Sequence, residues 1–236
     1  SPRQMKGRKP RILVFGEDAK VIRYLRRTLE HSGYETLATS EAAEAQRLAD
    51  VEEVDLILLD ITLVEGRGFD LFREIRRRSG APIITVASEE HVEDAVHALR
   101  AGADDYVTKP LSAVETSARV EAALRRREQQ PGPQAKPLQF DELVVDPASR
   151  LATTFGNPVA LTATENRLLL KLADSAGRVL THDEILESVW GPGYAGQYDL
   201  VRCFVRTLRK KLGDDARKPR FIFSERGVGY RMAKPA

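Results

Sequence analysis

Apolar and polar positions follow two rhythms along this chain. Over residues 11–127, short apolar runs alternate with longer stretches of helical period. Ile12-Leu13-Val14-Phe15, Val54–Leu59 and Pro82–Ala87 read as strands buried on both faces, with weaker strands at Glu35–Thr39 and Tyr106–Thr108. Between them, Lys20–His31, Glu41–Ala49, Phe69–Arg78, His91–Ala101 and Ser112–Arg127 repeat apolar residues every three or four positions. Ser112 with Glu115 opens the last of these as a capping box. Strands that are each followed by a helix predict an α/β domain, a doubly wound five-stranded parallel sheet covered on both faces.

The rhythm stops at 128–137, a stretch with three prolines and no apolar period, which predicts an extended linker. Residues 1–10 are expected to form a flexible tail. Beyond the linker, Leu138–Phe140, Leu143–Val145, Arg150–Phe155 and Pro158–Leu161 read as short strands, with a turn at Gly156-Asn157. Capping boxes at Thr162/Glu165 and Thr181/Glu184 start two helices, and Gly177 and Gly191 stop them. A third helix is predicted over Asp199–Leu212. Its apolar stripe is Val201, Phe204, Val205, Leu208 and Leu212, and Arg202, Arg206, Arg209 and Lys210 share a different face. Phe221–Ser224 and Gly229–Met232 close the chain as a hairpin with Glu225–Val228 at its tip. The predicted second domain, 138–236, is an α+β winged helix-turn-helix.

Charge sharpens this division. The 236 residues carry a net charge of only +2, but residues 11–127 hold 17 basic and 22 acidic side chains. From Val201 to Ala236 there are 11 Lys/Arg against 3 Asp/Glu, a local excess that points to a polyanionic partner. Such a third helix fits the major groove of double-stranded DNA, and the hairpin tip reaches the minor groove beside it. The lone Cys203 fits a reducing cytoplasm and is read as a small helix-tolerated side chain. No run approaches the roughly 18–20 apolar residues of a membrane span.

In a doubly wound sheet, ligands sit beyond the C-terminal strand ends. Here those ends carry Glu17 and Asp18, Asp60, Ala87-Ser88 and Lys109. Carboxylates opposite a lysine can hold magnesium, and one of them can attack a phosphoryl group, with the lysine neutralising its oxygens. Leu56-Ile57-Leu58-Leu59-Asp60, Gly68 and the run Ala101-Gly102-Ala103-Asp104-Asp105-Tyr106-Val107-Thr108-Lys109-Pro110 resemble a CheY-like response-regulator receiver domain. The resemblance implies that Asp60 is the phosphoacceptor, that Lys109 binds the phosphate, and that Ala87 and Tyr106 occupy the switch positions.

The chain departs from that pattern around the pocket. Two acids normally end the first strand; here the places hold Gly16 and Glu17, with Asp18 following. Ala87 lacks the hydroxyl that normally bonds the phosphoryl group, and Val64 stands in place of a proline. Magnesium demands near-octahedral oxygens, so Glu17, Asp18 and Asp60 predict at most a weak Mg2+ site. Dependence on phosphorylation, and so on a sensor histidine kinase, is expected to be weak or absent.

The resemblance further implies a homodimer through the fourth and fifth receiver helices. Arg100, Asp105, Glu115, Arg119, Glu121 and Arg126 match its charged set, Arg100 and Glu121 with acid and base exchanged. In the second half, Thr162–Leu169, Val189-Trp190-Gly191, Val205–Leu212 and Arg226–Arg231 resemble the effector domain of the OmpR/PhoB family, most of all its KdpE-type regulators. That implies DNA contacts from Arg202, Arg206, Thr207, Arg209 and Lys210, a minor-groove arginine at Arg226, and RNA polymerase as a partner. Trp190 and Tyr230 are read as packing residues. The expected function is a non-enzymatic, DNA-binding transcription regulator on repeated half-sites. Two alternatives stay open: a conventional regulator activated through phospho-Asp60, and a phosphorelay switch whose C-terminal domain binds protein.

Overall fold

The computed structural model describes residues 8–62, 67–128, 137–147 and 151–235. The chain divides into two compact units, Ser1–Arg125 and Arg126–Ala236.

In the first unit, near-continuous apolar runs make strands that tolerate cover on both sides. These are β1 (Arg11–Phe15), β2 (Glu35–Thr39), β3 (Leu56–Asp60), β4 (Ile83–Ser88) and β5 (Asp105–Lys109). They pair in parallel in the order β2-β1-β3-β4-β5. The helices are α1 (Ala19–His31), α2 (Ala42–Val51), α3 (Arg67–Arg78), α4 (Val92–Arg100) and α5 (Ala113–Glu128), the last crossing the unit boundary. On one sheet face Ile12, Val14, Leu56, Leu58, Ile84 and Val86 pack with Leu25 and Leu29 of α1 and Val120, Ala123 and Leu124 of α5. Alternate residues, Leu13, Ile57 and Leu59, are equally buried on the other face. Strand order reverses between β1 and β3, and the strand ends there bring Gly16, Asp60 and Lys109 together.

Residues 8–10, expected to belong to a flexible tail, are held in place. Pro10 is buried, and Arg8 donates to Asp55 at 2.7 Å and Glu53 at 3.3 Å. Asp55 in turn accepts the Arg11 N–H at 2.8 Å, so the residues before β1 are tied to the start of β3. Of the linker, Glu128 ends α5 and Pro137 precedes the next strand; 129–136 lie outside the described residues, as do Ser1–Gly7 and Val64.

The second unit opens with an antiparallel sheet of β6 (Leu138–Phe140), β7 (Leu143–Asp146), β8 (Leu151–Thr154) and β9 (Asn157–Val159). The β8–β9 turn is one residue earlier than the sequence suggested. Thr154 pairs with Asn157, leaving Phe155 (φ 50°) and Gly156 (φ 76°) in the left-handed region that a primed two-residue turn demands. Then come α6 (Ala163–Asp174), β10 (Val179–Thr181), α7 (His182–Val189), α8 (Tyr198–Leu212), β11 (Ile222–Glu225) and β12 (Gly229–Met232). Thr162 and Thr181 each cap their helix in a full capping box with the glutamate three residues on. At Ser112 only half the box forms: its hydroxyl accepts the Glu115 N–H at 3.3 Å, while the Glu115 carboxylate turns to Arg119.

The strand β10 was not anticipated. It joins the closing hairpin in the order β10-β12-β11, with Leu180 opposite Tyr230 and Thr181 opposite Gly229. A Cβ at Gly229 would collide with the Leu180 carbonyl, so this approach requires glycine. Gly229→Ala is expected to destabilise the second unit by about 1–3 kcal/mol through this overpacking; a denaturant midpoint equal to wild type would refute the contact. The α7 cap gives a pH dependence. Hydrogen bonding from Arg178, with the Thr181 N–H, holds the Glu184 pKa down to about 2. A depressed folded-state pKa adds stability above the unfolded value that is lost as pH falls through the folded one. Glu184→Gln is therefore expected to flatten the acid limb of the stability curve between about pH 4.3 and 2. An acid limb of unchanged slope would refute the assignment.

Candidate nucleic-acid interface and phosphoryl pocket

Helix α8 is built to be buried on one side. Val201, Phe204, Val205, Leu208 and Leu212 are all at most 2% exposed. Trp190, at the end of α7, is fully buried and meets the Phe204 ring edge-on at 5.1 Å, so it is a core residue. Gly213 ends the helix in the left-handed conformation, its N–H returning to the Arg209 and Lys210 carbonyls.

Arg202, Arg206 and Lys210 are exposed and spaced four residues apart, so they form one row along the opposite side. Arg202 is engaged by Asp199 at 2.8 Å. Among the described residues, Arg206 and Lys210 have no ion-pair partner. Arg226 and Gly227 lie exposed in the three-residue loop between β11 and β12, with Gly227 at φ 75°.

Two of the predicted DNA contacts belong elsewhere. Arg209 is 8% exposed because β11 crosses that flank of α8. Its guanidinium donates to the Ile222 carbonyl at 2.7 Å and to Ser224 Oγ at 3.1 Å, and it lies 5.8 Å from the Tyr230 ring centroid. Thr207 is 7% exposed, its hydroxyl donating to the Cys203 carbonyl at 3.1 Å. Lys211 also turns inward and binds the buried Glu165 at 2.6 Å. Tyr230 packs edge-on against His182 at 5.6 Å, which makes it part of the wing's seat rather than a stacking platform.

In the first unit, Asp60 is 1% exposed at the end of β3. Lys109 reaches it across the sheet, Nζ to Oδ2 at 2.8 Å. Thr62 completes the cluster: its hydroxyl donates to Asp60 Oδ1 at 2.5 Å and accepts from Lys109 Nζ at 2.7 Å, and its N–H donates to Oδ1 at 3.0 Å. Thr62 was not singled out from sequence; the only signal is a hydroxyl residue two positions after the aspartate, where an Asx-type turn forms.

The predicted metal ligands do not assemble around Asp60. Asp18 caps α1, accepting the Lys20 N–H at 2.7 Å, and Glu17 is exposed. The place facing Asp60 belongs to Gly16, where a Cβ would lie 3.2 Å from that of Asp60. Among the described residues, no group of three His, Cys, Asp or Glu is placed to hold a metal ion. Ala87 is fully buried, and the Ser88 hydroxyl accepts the Glu90 N–H at 3.3 Å.

Of the predicted dimer residues, Asp105, Glu115 and Arg119 meet within one chain. Arg119 is 7% exposed and bridges Asp105 at 2.9 Å and Glu115 at 2.8 Å, with its guanidinium 5.8 Å from the Tyr106 ring centroid. Arg100 and Glu121 are exposed away from this cluster, and Arg126 lies on α5 just past the unit boundary.

Known proteins share the two-domain organisation. Residues 12–121 match the family described as response regulator receiver domain, and residues 156–232 match transcriptional regulatory protein, C terminal. The chain is 36% identical over 221 residues to the transcriptional regulatory protein KdpE of Mycobacterium tuberculosis, covering 94% of this chain and 98% of that protein. It is 35% identical over 225 residues to the DNA-binding response regulator MtrA of Mycolicibacterium smegmatis, covering 95% and 97%. A solved structure of a RitR point mutant superposes with a TM-score of 0.74 at 27% identity, covering 95% of this chain and 99% of that one.

Lys109 is partly exposed but Asp60 is buried, so removing the lysine strands a buried carboxylate. Lys109→Met is expected to lower stability by about 3 kcal/mol, with much of the loss recovered when Asp60→Asn is added. Additive losses in denaturant unfolding would show that the two side chains do not act as a pair.

Proposed function

We propose that this chain, which belongs to the response regulators of the OmpR/PhoB type, regulates transcription by sequence-specific binding to double-stranded DNA, with little or no dependence on phosphorylation of Asp60. Its effector domain is of the DNA-binding type. The row of Arg202, Arg206 and Lys210 on a helix whose other side is wholly buried carries the reading. Such a helix seats in the major groove, where an arginine reads guanine through two hydrogen bonds and neighbouring cations neutralise phosphates. Arg226 enters the adjoining minor groove from the wing. Arg209 and Thr207 do not contact DNA; they hold the reading surface in shape.

The weak role for phosphorylation is supported by the pocket. Its carboxylate is already met by Lys109 and Thr62, the place facing it is Gly16, and Ala87 offers no hydroxyl to a phosphoryl oxygen. Asp60 and Lys109 themselves favour a second reading, conventional activation through phospho-Asp60 by a sensor kinase. Pairing through the fourth and fifth receiver helices places two effector domains on repeated half-sites in the cytoplasm, next to RNA polymerase. In that pairing Asp105, Glu115 and Arg119 exchange internal partners for those of the second copy.

Two outcomes test these statements. Arg206→Ala is expected to weaken binding to a selected duplex by about 1–3 kcal/mol and to relax base preference at one position. Wild-type affinity and preference in fluorescence anisotropy would withdraw the assignment. Incubation with Mg2+ and acetyl phosphate is expected to leave both the intact mass and duplex affinity unchanged. A base-labile phosphoryl adduct on Asp60 that tightens binding would establish the second reading instead.

A further inference from the structure

His182, the first residue of α7, joins three segments that are distant in sequence. Its ring lies 5.1 Å from that of Tyr198, the first residue of α8, and 5.6 Å from that of Tyr230 in β12, the latter edge-on at 78°. Its backbone N–H donates to the Val228 carbonyl at 3.2 Å, inside the loop that carries Arg226. The next residue extends the junction: Asp183 accepts the Tyr198 hydroxyl at 2.9 Å and the Gly196 N–H at 3.4 Å. Two consecutive residues thus touch the start of the recognition helix, the loop before it and the tip region of the wing.

A two-stranded hairpin holds no fixed direction by itself. Here β12 pairs with β10 on one side and β11 on the other, and Arg209 fixes β11 to the last turn of α8. Arg209 acts at the last turn of α8; at its first turn the hairpin is met by the contacts of His182 and Asp183. The Tyr198 and Tyr230 rings meet the imidazole at different angles, 37° and 78°, an arrangement that needs a planar ring between them. An aliphatic side chain would fill the space without holding either angle.

We propose that His182 is a positioning residue for DNA binding: its ring sets the angle between α8 and the β11–β12 hairpin. Arg226 then reaches the minor groove while Arg206 and Lys210 lie in the major groove. This rests on the DNA-binding reading above. His182 acts through the wing, so its removal and the loss of Arg226 have the same consequence.

The test uses the full chain and a duplex that the wild type selects from a random-sequence pool, read by fluorescence anisotropy. His182→Ala is expected to weaken binding about tenfold, close to the effect of Arg226→Ala, with no further loss in the double variant. Combined with Arg206→Ala, its loss multiplies. His182→Phe keeps a planar ring between the two tyrosines and is expected to restore affinity to within about twofold. In the chain without DNA, His182→Ala speeds amide hydrogen exchange over residues 225–231 while α8 stays protected. Unchanged exchange in the wing overturns the inference, as does multiplication of the His182 and Arg226 losses or a failed rescue by phenylalanine. A wild-type chain that retains no duplex overturns the DNA-binding reading, and this role with it; duplex binding by the wild type combined with any of the first three results overturns this role alone.

Discussion

A guanidinium carries a permanent charge and five donors, so it enters a protein interior only where acceptors are waiting for it. Arg209 meets that condition through its Nη2 group in the second unit, while its buried Nε has no hydrogen-bond partner. The Ile222 carbonyl and Ser224 Oγ take two of its donors, and the Asp214 carboxylate lies 3.9 Å away. Asp214, itself buried, accepts the N–H groups of Arg220, Phe221 and Ile222, which steers the chain leaving α8 directly into β11. One buried charge and its acceptors therefore relate the helix to the wing. Without them, the row of exposed cations and the loop carrying Arg226 would have no set spacing, and a groove-reading surface needs that spacing before it needs affinity.

The first unit obeys the same rule with the signs exchanged. Asp104, 1% exposed, accepts from Arg76 at 3.2 Å and from the Ile83 N–H at 3.0 Å, tying α3 to β4 and to the turn before β5. Asp60 is answered by Lys109 and Thr62. A buried carboxylate without a cation or donor would be costly, and in this pocket the chain supplies both from β5 and from the loop after β3. Any incoming phosphoryl group would have to displace contacts that are already short and well directed. That energetic hurdle, more than the identity of any single missing residue, is what supports the proposed weak dependence on phosphorylation.

Periodicity made most of the architecture legible. The doubly wound sheet, the helices around it and the buried stripe of α8 follow from apolar spacing, and the two full capping boxes follow from four-residue motifs. What periodicity could not show is where a neighbouring element lands. Val179–Thr181 is too short to read as a strand until β12 is beside it. The β8–β9 turn starts at Phe155 because strand register, not the glycine–asparagine pair, decides which residues enter the left-handed region. Arg209 lies within about 20° of Arg202 on the helical wheel, so no count along the helix distinguishes the two. Only β11 crossing that flank does so. Thr62 was invisible for a related reason: its hydroxyl matters only because Lys109 arrives from a strand 47 residues away.

This partition of charge changes how the basic C-terminal segment should be understood. Eleven Lys/Arg against three acids over Val201–Ala236 suggests a broad polycationic surface. Several of those cations have partners within the chain: Arg209 under the wing and Lys211 on the buried Glu165, and, nearer the surface, Arg220 against Asp141 and Glu142 and Arg231 on Glu225 at 3.2 Å. Arg202, Arg206, Lys210 and Arg226 remain exposed, as do Arg217 and Lys218 in the loop beyond α8. Each phosphate neutralised contributes to affinity without regard to sequence. Cations engaged by partners within the chain therefore contribute less to non-specific attraction. Under the proposed role, positive charge engaged in internal order would raise the ratio of specific to non-specific binding, and that ratio is what a regulator facing a whole genome of competing sites requires.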